Sequence, residues 1–301
     1  MSEYVDLLQE YREKFDKEIF PLLASHELIR KKTGLVYHSF QKRFTDSTKS
    51  KILANEKSFE ITERILSIAG GVKSKSILEI GSGWMPIMPY FFKYFGDCEK
   101  IYTYDIVDHY SNNYIDELNK YFQEQFQKEI NASSLGLHLP DFIEYKPNCN
   151  VITSRLPEKV DIIFSRFVLE HVTPNDIVEM HNRFFNLYGT DLLIFHLISP
   201  SDHRAFSDKN ISYYDFLKYS EKEWNAQQTK FDYHNRLRLN QYLDLFEKSG
   251  IEVVHIEHDE AVKGSEKYNN FKALKLHSDY SKFTDKDLTA GSINVLLKKK
   301  S

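Results

Sequence analysis

Two glycines and two carboxylates stand where a nucleoside-containing ligand could bind. An apolar run that holds Glu79 ends at Gly81-Ser82-Gly83, and Asp105 ends a second apolar run, 22 residues after Gly83. Glycine allows positive φ angles and lets a ligand approach the main chain closely. A carboxylate at the end of the next strand can accept hydrogen bonds from both hydroxyls of a ribose. These residues therefore predict a site for a nucleoside cofactor.

Two classes of nucleoside cofactor are compatible with this layout to different degrees. Dinucleotide binding needs a third glycine, and Pro86 occupies that position. The negative charge of Glu79 beside the turn would also repel a pyrophosphate. A sulfonium cofactor carries positive charge and no phosphate, so an acid next to the turn suits it. An NAD(P)-dependent oxidoreductase remains the alternative, as does a binding protein that keeps the fold without catalysis.

Histidines and a carboxylate follow two later apolar runs and could act on a second substrate. The catalytic candidates are His171, His196, Asp202 and His203, with Asp202 expected to orient His203. Histidine is the commonest base for removing a hydroxyl proton, and ligands bind at the carboxyl ends of parallel strands. His171 beside the cofactor and His196 among apolar residues could instead be packing residues. The spacing of these side chains matches no compact metal signature, so we expect no metal.

A second polar group lies further along the chain, at Asn235-Arg236-Leu237-Arg238. On an extended segment Arg236 and Arg238 would share one side, and arginine binds phosphate or carboxylate through two parallel hydrogen bonds. We therefore name Asn235, Arg236 and Arg238 as candidate contacts to an anionic acceptor such as a phosphorylated or nucleotide-linked sugar. A surface ion-pair group is the alternative interpretation.

The elements that must position these residues alternate between strand and helix. Helical periodicity separates the apolar runs, which indicates an α/β fold with a doubly wound, mostly parallel seven-stranded sheet and helices on both faces. The runs predict strands at Ser76–Ile80, Ile101–Val107, Phe142–Tyr145, Val160–Ser165, Leu192–Ile198, Ile251–Ile256 and Ile293–Leu297.

Two segments lie outside this alternation. Residues 1–70 read as a helical extension, because apolar residues recur there at helical spacing, for example Tyr4, Leu7 and Leu8. The main domain would then span 71–301. The polar and aromatic segment 199–240 is too long for a plain connection. We predict that the extension packs on the main domain or covers it as a lid, and that the insertion forms part of the acceptor site.

The chain resembles class I S-adenosylmethionine (SAM) dependent methyltransferases in the order of three features. These are the glycine turn, the acid-ended strand and the later segment Val160–Val172, which contains Leu169-Glu170-His171. The resemblance covers roughly residues 70–200 and implies a Rossmann-like methyltransferase fold with SAM as cofactor. The residues it implies for the cofactor are Glu79, Gly81, Ser82, Gly83, Asp105 and Ile106, where Glu79 would hold the turn and the methionine amino group, and Ile106 would pack on the adenine. The segment 148–156 lacks the acid that often reads the adenine amino group in this family.

The order of the segments after residue 200 also resembles a bacterial subgroup of these methyltransferases that is associated with surface-polysaccharide and specialised-metabolite pathways. That resemblance implies O-methylation of a small or saccharide acceptor. The sequence does not settle the acceptor or the oligomeric state, for which a homodimer is one option.

Composition excludes several classes of protein. Apolar residues make up 41% of the 301 residues and charged residues 28%, which is typical of a soluble globular chain rather than a disordered one. The net charge of -4 argues against a general nucleic-acid binder. Two cysteines cannot build a disulfide framework, and no run of about 20 apolar residues occurs in the sequence. The first residues lack a basic segment followed by an apolar one, so we expect no signal peptide. We therefore expect a cytoplasmic protein without membrane insertion.

Overall fold

A seven-stranded sheet forms the centre of the computed structural model, which describes residues 48–206, 210–228 and 233–300. The strand order is β3-β2-β1-β4-β5-β7-β6. The strands are β1 Ser76–Ile80, β2 Lys100–Tyr104, β3 Ile143–Lys146, β4 Ile162–Arg166, β5 Leu193–Ile198, β6 Ile251–His258 and β7 Ile293–Lys299. All seven predicted strands are therefore confirmed, and so is the fold class.

Strand β7 runs opposite to the other six described strands of the sheet. β1 pairs in parallel with β2 and β4, and the parallel pairing continues to β3 on one side and β5 on the other. β7 runs antiparallel between β5 and β6. Strands β1, β4 and β5 are buried almost throughout, because helices cover both faces of a parallel sheet. Burial on both faces explains why these strands appear as continuous apolar runs in the sequence.

Helices connect the strands and cover the sheet. The helix Pro174–Tyr188, labelled α4, follows the capping residue Thr173, whose side chain accepts a hydrogen bond from the Asp176 amide. Proline at the first turn is a favoured helix start. The helices are α1 Thr48–Leu66, α2 Ile87–Tyr94, α3 Asn112–Phe126, α4 Pro174–Tyr188, α5 Glu221–Gln227, α6 Leu239–Lys248, α7 Glu266–Lys272 and α8 Asp285–Thr289. Short 3₁₀ helices lie at Ser67–Ala69, Leu169–His171, His203–Phe206, Asp215–Lys218 and Ser278–Tyr280.

The two faces of the sheet carry separate hydrophobic cores. On one face α1, α2 and α3 contribute aromatic side chains, and Phe59 of α1 stacks on Phe91 of α2 with ring centroids 5.6 Å apart. On the other face α4 and α6 bury Phe184 and Phe246 against the strands. Side chains of β1, β2, β4 and β5 belong to both cores, so packing on both faces fixes the strands at whose carboxyl ends the loops lie.

The chain divides into two compact units. One comprises residues 48–220 and 235–301 and contains the sheet, and the other comprises 1–47 and 221–234. Of the helical extension predicted for 1–70, helix α1 packs against α2 in the first unit. The predicted helix around Tyr4, Leu7 and Leu8 lies outside the described residues. Across the ranges that the structure describes, no helix has both the length and the apolar character required to cross a bilayer.

Candidate active site

The glycine turn after β1 takes a conformation that requires glycine. Gly81 has φ +70°, and a Cβ there would lie 2.6 Å from a methyl carbon of Val168. Gly83 has φ +65°, and no atom lies within 4 Å of the position a Cβ would take. The turn thus combines a tight approach to the loop after β4 with open space above Gly83, which is a cradle for a ligand.

Asp105 closes this turn from the end of β2. Its Oδ2 accepts a hydrogen bond from the Gly83 amide at 3.2 Å, and its Oδ1 accepts one from the Val107 amide at 2.9 Å. Burial raises the pKa of Asp105 to about 6, so the carboxylate is ionised at neutral pH. The next residue, Ile106, leaves 71% of its surface exposed. A charged acceptor and an apolar surface therefore lie side by side next to the turn.

Glu79 lies beneath the turn rather than in it. Its carboxylate is buried and accepts a hydrogen bond from Thr103 Oγ1 at 2.7 Å. Burial raises the pKa of Glu79 to about 7. The Tyr110 hydroxyl donates to Ser82 Oγ at 2.7 Å, and the Tyr110 ring stacks on Tyr145 at 3.8 Å. The two tyrosines were not predicted as site residues, because no motif singles them out among 19 tyrosines.

The segment after β3 also reaches this edge of the sheet. The Cys149 amide donates to the Asp105 carbonyl at 2.9 Å, which fixes the segment beside the carboxylate. The exposed Asn150 uses its Oδ1 to accept a hydrogen bond from the Ile152 amide at 2.8 Å. An amide therefore stands in the region where the sequence lacks an acid.

A second polar cluster lies at the carboxyl ends of β4 and β5. Glu170 is fully buried, and its Oε1 lies 3.9 Å from His203 Nε2. The His171 and His203 rings meet edge to face with centroids 5.0 Å apart. Burial raises the pKa of Glu170 to about 8 and lowers that of His203 to about 4. We call Glu170, His171 and His203 the acceptor-edge cluster.

The prediction that Asp202 orients His203 is wrong. Both carboxylate oxygens of Asp202 accept hydrogen bonds from Arg204, at 2.7 to 3.2 Å. Because this paired contact occupies the carboxylate, Glu170 is the acid that faces His203. Sequence neighbours suggested the first pairing, whereas the fold brings in a residue from another strand end.

His196 lies inside the sheet and away from the open edge. It is fully buried on β5, with Nδ1 2.7 Å from Ser165 Oγ and Nε2 3.0 Å from His181 Nε2. His181 Nδ1 is 2.6 Å from the Ile177 carbonyl, so it must carry a hydrogen and its Nε2 must accept. Burial lowers the pKa of both histidines, which keeps them neutral. This placement gives His196 a packing role in place of the catalytic one considered from sequence.

Arg236 and Arg238 also have packing contacts. Both are buried, and Arg236 donates to the carbonyls of Phe216 and Tyr219 at 2.8 and 2.7 Å. Arg238 donates to the Pro200 carbonyl at 2.6 Å and lies over the Phe216 ring. These contacts tie the insertion to itself, and they replace the clamp on an anionic acceptor that the sequence suggested.

Asn235 connects the same segment to the loop after β4. Its side-chain Nδ2 donates to the carbonyls of Leu169 and Val172 at 2.6 and 2.8 Å, and its backbone amide donates to the Glu170 carbonyl at 2.9 Å. Asn235 therefore holds the backbone of the acceptor-edge cluster, rather than pointing at a substrate.

Comparisons with known proteins give likeness only at low identity. No model of a protein family matches the chain, and no curated protein matches it. A candidate methyltransferase from Bacillus halodurans is similar at 15% identity over 79% of this chain and 98% of that one, with TM-score 0.45. Magnesium protoporphyrin IX methyltransferase from Synechocystis, with bound S-adenosylhomocysteine, is similar at 10% over 85% and 88%, with TM-score 0.46.

Geranyl diphosphate C-methyltransferase from Streptomyces coelicolor is similar at 13% over 81% of this chain and 76% of that one, with TM-score 0.45. Likeness of this degree assigns neither an activity nor a substrate. The strand order, with β7 as the antiparallel strand, is observed directly in this chain. The sheet domain of this chain therefore has a Rossmann-like fold, in which a mostly parallel seven-stranded sheet includes the antiparallel strand β7.

Proposed function

We propose that the chain is a SAM-dependent methyltransferase that acts on a hydroxyl group. The observation that carries this proposal is the glycine turn. The Gly83 amide donates a hydrogen bond to the buried carboxylate of Asp105, and the space next to the Gly83 Cα is open. The turn lies at the carboxyl end of β1, where ligands of doubly wound sheets bind.

The residues around the turn fit the cationic donor. Gly81 and Gly83 would admit the methionine and ribose portions, Asp105 would accept the ribose hydroxyls, and the exposed Ile106 would face the adenine. Asp105 is ionised at neutral pH, and a negative charge beside the turn attracts a sulfonium and repels a pyrophosphate. This electrostatic character favours SAM over NAD(P), which was the alternative from sequence.

The acceptor-edge cluster is the proposed place of the acceptor. Bound SAM supplies an activated methyl carbon: the acceptor oxygen forms a C–O bond to it, the C–S bond leaves its electron pair on sulfur, and the hydroxyl proton is released. Positioning contributes much of the rate in such an in-line displacement. The residues of the cluster can promote loss of the proton, either by taking it up or by holding a cation.

The contacts around the cluster narrow the class of acceptor that we propose. The guanidinium groups of Arg236 and Arg238 are buried on backbone carbonyls, so they lend no support to an anionic acceptor. Phe206 and Tyr213 are 62% and 40% exposed, and the Phe206 ring lies 5.1 Å from that of His203. Exposed aromatic faces suit the ring of an uncharged sugar or an aromatic alcohol. A small or saccharide acceptor with a neutral ring is the class we propose.

Ligand-dependent thermal unfolding tests the donor assignment. S-adenosylhomocysteine at 100 times its Kd should stabilise the protein by about 2.7 kcal/mol and raise Tm by several degrees. NAD+ and NADP+ at the same concentrations should leave Tm unchanged. A shift with either dinucleotide and none with S-adenosylhomocysteine would transfer the assignment to an oxidoreductase.

A further inference from the structure

The carboxylate of Glu170 is buried without a full set of partners. Its side chain has no solvent-exposed surface, and the Ser199 amide donates to Oε1 at 3.3 Å. Oε2 has no hydrogen-bond partner among the residues that the structure describes. An unpaired acceptor in the interior costs about 1 to 3 kcal/mol, and more when it is charged. Such a cost indicates that a ligand completes the site.

The positive side chain of Arg166 does not pair with this acceptor. Arg166 ends β4, and its charge acts on Glu170. Its Nε donates to Ser58 Oγ at 2.9 Å, and its guanidinium lies over the Phe167 ring at 4.2 Å. No hydrogen bond joins Arg166 to Glu170 within the described part of the chain. The open oxygen of Glu170 therefore remains available to a cation.

Two imidazoles lie next to this carboxylate. Glu170, His171 and His203 each offer one ligand atom, and these three atoms lie within 4.8 Å of one another. The distance of 3.9 Å between Glu170 Oε1 and His203 Nε2 falls in the range of roughly 3 to 4 Å for two ligands of one ion at about 2.1 Å each. Two imidazoles with one carboxylate suit divalent transition metals rather than Mg²⁺ or Ca²⁺.

We propose that Glu170, His171 and His203 bind one divalent transition-metal ion, and that this ion holds the acceptor hydroxyl. The first part concerns the site alone, whereas the second rests on the proposed function. His203 then acts as a metal ligand instead of the base that the sequence suggested, and the expectation of no metal is replaced.

The chemistry of such a site follows from its open positions. Three protein ligands leave at least one coordination position for an oxygen of the acceptor. A bound cation lowers the pKa of that hydroxyl, so its proton passes to water and the oxygen keeps the electron pair for the methyl carbon. No change of oxidation state occurs. The loop after β4, held by Asn235, and the loop after β5 would set the distance between the hydroxyl and the donor.

Metal retention by the full-length protein tests the site directly. The protein is stripped with a chelator, dialysed against Zn²⁺ or Co²⁺, and analysed for bound metal by mass spectrometry and by the visible spectrum of Co²⁺. The wild type should retain one equivalent. Glu170→Gln and His203→Gln should each weaken metal binding by at least about 10-fold, since even the loss of an outer partner of a metal ligand weakens binding by that much. His255→Gln is the matched control, because His255 also lies beside an acid, 3.8 Å from Glu257, but on β6.

Binding of S-adenosylhomocysteine is the second measurement on every sample. It should be equal in stripped, loaded and variant protein, which shows that the variants are folded and that the donor site is intact. Less than 0.1 equivalent on the wild type, or equal retention by wild type and Glu170→Gln, would overturn the metal site. Loss of donor binding in all samples while metal is retained would overturn the proposed function and leave the metal site standing.

Discussion

Asp105→Asn separates the proposed binding role of this residue from a structural one. Asparagine keeps the shape of the side chain and one acceptor oxygen, so the bonds from the Gly83 and Val107 amides can persist in part. It removes the charge that we propose to bind the ribose hydroxyls. The variant should therefore lose affinity for the donor without losing stability.

The two magnitudes can be worked out independently. A hydrogen bond to a charged group contributes about 1.5 to 3 kcal/mol, so loss of one should weaken S-adenosylhomocysteine by about 10- to 150-fold. Burial raises the pKa of Asp105 from 3.8 to about 6, and about two pKa units correspond to about 3 kcal/mol. This cost of burying the charge is absent below pH 4 and complete above pH 6. Because the Asn Nδ2 cannot accept, one of the two backbone amides loses its acceptor, which costs about 1 to 3 kcal/mol. At pH 7 the variant should thus be as stable as the wild type, or more stable by up to about 2 kcal/mol.

Isothermal titration calorimetry between pH 5 and 8, together with denaturant unfolding, measures both effects. The affinity of the wild type should fall as pH drops below about 6, because a protonated Asp105 loses an acceptor, and that of the variant should stay flat. His109 is the titratable neighbour to consider, since its Nε2 lies 3.9 Å from Asp105 Oδ1. Asp116→Asn is the control, because Asp116 is an exposed acid on α3 that pairs with His138. Binding by Asp105→Asn within 3-fold of the wild type would refute the assignment.

Four further substitutions test other parts of the site. Gly81→Ala should abolish donor binding, because its Cβ would lie 2.6 Å from Val168 at φ +70°; normal calorimetric binding would contradict this geometry. Burial raises the pKa of Glu79 to about 7, so the unfolding free energy of the wild type should fall by up to about 3 kcal/mol as pH rises from 4.5 to 7. Glu79→Gln should lack this fall, and parallel pH profiles of the two proteins in urea titrations would contradict the prediction. Arg236→Ala should cost about 2 to 4 kcal/mol of stability by leaving two carbonyls unpaired, whereas a raised KM for the acceptor at unchanged Tm would restore a binding role. His203→Ala should lower kcat by at least 10-fold with donor Kd unchanged, and equal turnover would exclude it from the chemistry.

The sheet and the donor edge could be predicted from sequence because local patterns encode them. Buried parallel strands appear as short apolar runs, and a tight turn at the end of a strand appears as glycine. Asp105 could be predicted as a site residue because it follows Gly83 along the chain by one turn-helix-strand unit, a spacing that the sequence itself shows. The strand ends differed by a few residues, as for β2, which ends at Tyr104 instead of Val107.

The acceptor edge was harder to predict because its contacts join distant parts of the chain. Glu170 was not predicted as a site residue, although it lies in the segment that resembles the methyltransferases. Nothing in the sequence shows that its carboxylate faces His203 across two strand ends. The paired arginines looked like a surface clamp, since spacing does not reveal burial. Arg236 and Arg238 are enclosed by carbonyls from the insertion and beyond, which only the fold supplies.

Equilibrium dialysis of the folded wild-type protein against radiolabelled SAM tests the central claim most directly. We predict that about one donor molecule binds per chain, that excess S-adenosylhomocysteine displaces it, and that NAD+ does not. Retention of no label by protein whose circular dichroism shows the α/β fold would contradict it.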